Sequence, residues 1–106
     1  RVETLEQYVA SFRPETPRDQ TALKTLSNDT RYTIARLLAG VDRELCVCEI
    51  TPVVDVSDSA VSHALSDLYE AGLVTRRRDG NWRSYEATER AVALLDALDE
   101  TRAGVP

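Results

Sequence analysis

Histidine, tryptophan and phenylalanine occur once each in the 106 residues, methionine is absent, and Lys24 is the sole lysine. A single histidine, with no nucleophile set beside a base, leaves little to catalyse with and argues against an enzyme. The four glycines are scattered and form no phosphate-cradling loop. No apolar run approaches the roughly 18 residues that cross a bilayer, and no signal-peptide pattern opens the chain. The expectation is a cytoplasmic protein with no membrane partner. Cysteine is confined to Cys46 and Cys48. A disulfide across one intervening residue meets narrow geometric limits, so in that compartment the pair reads as free thiols. Repeats and low-complexity segments are lacking, and the length suits one domain over residues 1–106.

Positive charge is also scarce, with 13 basic against 18 acidic residues and a net charge of -5. Taken alone this opposes a nucleic-acid partner, which usually meets a basic surface. Twelve of the 13 basic residues are arginine, and with the acidic excess this bias suggests a protein kept soluble in concentrated salt. The charge is unevenly placed. Arg76, Arg77, Arg78 and Arg83 against Asp79 give residues 76–83 a net of +3, leaving -8 elsewhere. One basic strip on an acidic body is a localised docking surface.

Apolar spacing sets out the elements. Leu5, Tyr8, Val9 and Phe12 make one helical stripe, opened by a Thr4/Gln7 capping box and closed by Pro14 and Pro17. A second helix is predicted over 21–27. Asn28 caps a third, with Ile34, Leu37, Leu38 and Val41 on one face and Gly40 near its stop. A short strand over 44–47 leads to a fourth helix that Pro52 should shorten or kink. Asp55 to Ser57 form a turn, and Ser57 caps a fifth helix ending at Ala71 and Gly72. The period then changes to two: strands over 74–78 and 82–87 flank an Asp79-Gly80-Asn81 turn. Thr88 caps a last helix with Ala91, Leu94, Leu95 and Leu98 on one face. The fold class is mainly α with a small β-hairpin, a winged helix-turn-helix, with the helix-turn-helix over 48–71 and the wing over 74–87.

The fifth helix carries a second stripe opposite its apolar one: Ser59, Ser62, His63 and Ser66. Serine is a poor helix former, but a face of short donors can approach phosphates and base edges closely. The helix N-terminus, capped by Ser57, adds partial positive charge. With an arginine hairpin directly behind it, this stripe reads as the DNA-facing surface, joined by Arg76, Arg78, Asn81 and Arg83 of the wing. Strand alternation sends Arg77 to the other face. Trp82 and Tyr85 are expected to pack the hairpin against the body.

Several segments in order resemble the ArsR/SmtB family of metal-responsive repressors. They are Leu26-Ser-Asn-Asp-Thr-Arg31, Glu44-Leu-Cys-Val-Cys-Glu49, Ser57-Asp-Ser-Ala-Val-Ser62 with Leu65, Glu70-Ala-Gly-Leu-Val74, and Trp82 to Tyr85. The resemblance covers about residues 21–98. It implies a homodimeric winged helix on operator DNA, with dimerisation helices over 1–20 and 88–102, that represses transcription. The cysteine motif is nearest to the arsenic-sensing type, whose thiolates capture a soft trivalent ion. By that resemblance Cys46 and Cys48 are metal ligands and arsenite or antimonite is the effector, with no required cofactor. Thr51 stands where the family motif has a third cysteine, and the alternative is a redox-responsive or silent cysteine pair. The His-and-acid pattern of zinc-sensing members is missing from the last helix.

Overall fold

Thr4 opens the first helix as its capping box predicts: its hydroxyl accepts the Gln7 N–H at 3.1 Å, and the Gln7 amide oxygen accepts the Thr4 N–H at 2.9 Å. The computed structural model describes residues 4–104, so residues 1–3 of the first predicted dimerisation segment lie outside it. Helix α1 runs Leu5–Phe12, a 3-10 turn covers Arg13–Glu15, and α2 runs Thr16–Leu26. The two prolines do not end the helical path, as the sequence reading had it. Both sit in the first residues of the next helical segment, where the missing N–H has no intrahelical partner to lose.

Helix α3 (Asp29–Val41) starts at Asn28, whose side chain accepts the Arg31 N–H at 3.0 Å. It ends at Val41, one residue past Gly40, with Asp42 as its C-cap at φ 53°. Strand β1 is only Leu45–Cys46, and α4 (Val47–Val54) begins one residue before the expected boundary. Pro52 lies inside α4, which ends two residues later at Val54, with Asp55 its C-cap at φ 56°. Helix α5 (Asp58–Glu70) is capped by Ser57, strands β2 (Val74–Asp79) and β3 (Trp82–Ala87) form the hairpin, and α6 (Glu89–Arg102) closes the order.

The core joins α3 to α5. Ile34 and Leu38 of α3, Ile50 of α4, and Val61, Leu65 and Leu68 of α5 are fully buried against Leu73, Tyr85, Ala91 and Leu95. Each large side chain removed from water contributes roughly 1.5–3 kcal/mol. This locks α5 by its apolar stripe and leaves its serine stripe outward.

The hairpin is part of a larger sheet than the sequence suggests. Strand β1 pairs antiparallel with β3, Leu45 opposite Tyr85 and Cys46 opposite Ser84, giving the order β1-β3-β2. At the hairpin tip Gly80 alone takes a positive φ, 64°, which glycine adopts without steric cost. Tyr85 is buried as expected, but Trp82 is 64% exposed and does not pack on the body. Its place beside the turn, where β3 begins, accounts for the difference. No helix among the described residues is long and apolar enough to cross a membrane.

Candidate nucleic-acid interface

The apolar and serine stripes of α5 separate as cleanly in space as in sequence. Ser57, Ser59, Ser62, His63 and Ser66 are all exposed. The Ser57 oxygen is committed to the helix end, accepting the Ala60 N–H at 3.1 Å. Among the described residues the side chains of Ser59, Ser62, His63 and Ser66 have no hydrogen-bond partner, so their donors face outward. Asp58, in the first turn, favours the helix dipole but would oppose a phosphate there.

The wing sorts its arginines by face. Arg76 lies opposite Tyr85 and Arg78 opposite Arg83. Direct cross-strand partners share a face, so these four stand on one side and Arg77 on the other. Arg77 is neutralised: it grips Glu44 through three contacts of 2.7–3.1 Å. Its hydrogen bonds hold the Glu44 carboxyl below the usual carboxylate range, and Glu44 in turn raises Arg77. Arg76 lies over the Tyr69 ring of α5 at 4.1 Å, which pins the root of the wing to the helix. Arg78 and Arg83 face each other with no acidic partner among the described residues, where their one side-chain hydrogen bond runs from Arg78 Nε to the Gly80 carbonyl at 3.4 Å. Like charges directly opposite on a hairpin oppose folding. An external anion relieves that repulsion.

The α5 stripe and the wing enclose a cleft of about 400 Å³, and the cysteines open into it. Ser62 and Ser66 form one wall, Arg76, Asn81, Trp82 and Arg83 another, and Cys46, Val47 and Cys48 a third. The free-thiol reading is corrected here: the two sulfurs are bonded to each other. Cys46, extended, is the N-cap of α4, and Cys48 lies in its first turn. That bend brings their Cα atoms to 5.3 Å, within the range a bridge requires. A continuous extended strand, the geometry assumed from sequence, does not occur. The Cys46 N–H donates to the Glu49 carboxylate at 3.1 Å. That backbone bond, then Arg43 at 3.1 Å, holds the Glu49 carboxyl below its ordinary value.

A segment over residues 28–76, from α3 to the start of β2, matches the family model described as bacterial regulatory protein, arsR family. A Halobacterium salinarum protein named "Putative arsenical resistance operon repressor ArsR" is 52% identical over 103 residues, covering 96% of this chain and 80% of that one. The chain belongs to the ArsR family. A second H. salinarum relative, "Putative arsenical resistance operon repressor ArsR2", is 52% identical over 84 residues, 79% of this chain and 71% of its own. Among solved structures, the homodimeric winged helix-turn-helix DNA-binding domain Mb0332 of Mycobacterium bovis superposes with a TM-score of 0.72 at 29% identity, covering 87% of this chain and 83% of that one. This ArsR-family chain is thus a winged-helix transcriptional regulator, not an enzyme. Sequence reasoning named neither Val47 in the cleft nor the Tyr69 platform under Arg76, and it assigned Trp82 to packing rather than to the cleft that it lines. Only the Tyr69–Arg76 pair had a signal, an aromatic at the end of the helix that feeds an arginine strand.

Proposed function

We propose that the chain represses transcription as a homodimer on duplex operator DNA and lets go when reduced Cys46 and Cys48 capture arsenite or antimonite. The observation that carries the DNA reading is the Arg78–Arg83 pair, like charges with no salt-bridge partner among the described residues, flanking the outward donors of Ser62 and Ser66. Ser57, Ser59, Ser62, His63 and Ser66 approach the major groove while Arg76, Arg78, Asn81 and Arg83 follow the backbone.

Two unsatisfied apolar surfaces support the homodimer. Helix α1 buries none of its residues, leaving Leu5 at 84% and Phe12 at 48% exposure. Leu23, Leu26, Tyr32, Leu94 and Leu98 line an apolar groove of about 340 Å³ between α2, α3 and α6. A dimer joined through the terminal helices covers both and offers two α5 helices to successive major-groove faces, about 34–36 Å apart. The cytoplasm, where the DNA lies, is its place of work.

The effector reading rests on soft donors beside the DNA surface. Two thiolates suit a soft trivalent ion. Thr51 contributes nothing to the cleft, since its hydroxyl is buried and without a partner, so the third bond goes to water or a small thiol. Capture acts at short range: Cys46 is opposite Ser84 in the sheet, next to Arg83. Coupling of about 1–3 kcal/mol gives 5–150-fold release. The bond between the sulfurs favours a second reading, in which oxidation of the pair replaces metalloid capture.

Fluorescence anisotropy of upstream DNA, at low and high salt, tests this. The reduced protein binds; arsenite releases it; Cys46→Ser with Cys48→Ser binds equally and ignores arsenite. A double variant that still responds overturns the effector reading. Release of the unaltered protein by peroxide but not arsenite selects the redox reading, and no binding in any state removes the repressor assignment.

A further inference from the structure

We propose that the cleft between α4, α5 and the wing docks small carboxylate-bearing thiols, which open the Cys46–Cys48 bond by attacking Cys48. The inference rests on the oxidised pair of the second reading and needs neither DNA nor metalloid.

The two sulfurs are not equivalent. Cys48 is exposed, whereas Cys46 is half-buried in β1. Cys46 is the N-cap of α4, where the helix terminus favours negative charge. The nearby Glu49 carboxylate is occupied by Arg43 and by the Cys46 backbone. Cys46 is therefore the better leaving thiolate, and a leaving group of lower pKa departs faster. The incoming thiolate forms a bond to Cys48 Sγ as the Cys46–Cys48 bond breaks, and its electron pair stays on Cys46. One disulfide replaces another, so no external oxidant or reductant is consumed.

The surroundings select the thiol. Arg76 and Arg83 line the cleft against one carboxylate, Asp58, which favours an anion. Val47, Trp82 and Tyr85 give apolar contact, and Ser62, Ser66 and Asn81 give hydrogen bonds. A volume of about 400 Å³ suits a molecule of the size of a cysteine-containing dipeptide. Once attached to Cys48, such a group lies in front of Ser62 and Ser66.

The test treats the oxidised protein with 3-mercaptopropionate, 2-mercaptoethanol or cysteamine at equal thiolate concentration. Iodoacetamide quenches the reaction, and intact mass and peptide mapping read it. The expected product carries the thiol on Cys48 and carbamidomethyl on Cys46. Rates fall from anion to neutral to cation over a spread of roughly 3–10-fold. Arg83→Glu reverses that order and Arg83→Gln flattens it. An adduct on Cys46, rates indifferent to charge in the unaltered protein, or two titratable thiols in the oxidised preparation would each overturn the proposal. Because no DNA is present, a negative result leaves the repressor reading standing. Loss of anisotropy response in an otherwise normal exchange reaction would strike only the latter.

Discussion

The root and the tip of the wing use the same residue for opposite ends. At the root Arg77 is closed by Glu44 and Arg76 lies on Tyr69. At the tip Arg78 and Arg83 stand opposite each other, exposed and, among the described residues, without a carboxylate partner. An arginine count along 76–83 treats all four alike. Their partners divide them: Arg77 is neutralised, Arg76 leans on the helix with its charge unpaired, and Arg78 and Arg83 stand clear for an outside anion. On an acidic chain, only uncompensated cations at a defined place can hold a polyanion.

Reversing the tip should break that contrast most completely. Arg78→Glu with Arg83→Glu is expected to lower DNA affinity about 100-fold or more at low salt, since contacts with phosphate become repulsions. Its melting temperature should hold, because a repulsive pair is merely exchanged for another. A protein that binds DNA as before would mean that the wing tip faces elsewhere. Removing charge at the root sharpens the comparison. Arg77→Gln should change affinity by no more than about twofold and leave the salt dependence of binding unaltered, while freeing β1. Faster hydrogen exchange at Cys46 and Ser84 would show the second effect, and a shallower salt slope would place Arg77 on the DNA after all.

The smallest effect lies in pH. Arg77 lowers Glu44, and the Cys46 backbone with Arg43 lowers Glu49. A carboxyl depressed in the folded state adds stability that is complete above its unfolded value and lost as pH falls through the folded one. Stability should therefore be level above about pH 5 and decline below it. Both groups are open to solvent, so the decline is shallow. Glu44→Gln should remove part of that slope in thermal melts. Curves of equal slope would show that the root pair does not couple to folding.

Much of the fold was legible because local rules and tertiary packing agree. The caps at Thr4, Asn28, Ser57 and Thr88, the α5 stripe of Val61, Ala64, Leu65 and Leu68, and the turn around Gly80 all form as read. Three features escaped for separate reasons. A two-residue strand is too short to display a period, so β1 joining β3 was invisible. Proline removes a donor wherever it stands, and spacing alone cannot tell a helix that ends from one that begins. For the cysteines, extended geometry was assumed from Glu44 to Val47, whereas the helix starts at Val47 and folds the second sulfur back on the first. Of the site, exposure of every chosen α5 and wing residue followed from periodicity. The Tyr69 platform and the Glu44 clasp did not, because each joins residues whose pairing depends on how elements meet.

Helix α1 carries one more implication. Its helical path runs on through the 3-10 turn into α2, yet within its own chain none of its eight residues is buried. In the homodimer proposed above the partner covers Leu5, Tyr8, Val9 and Phe12, and dilution is the plainest way to strip that cover.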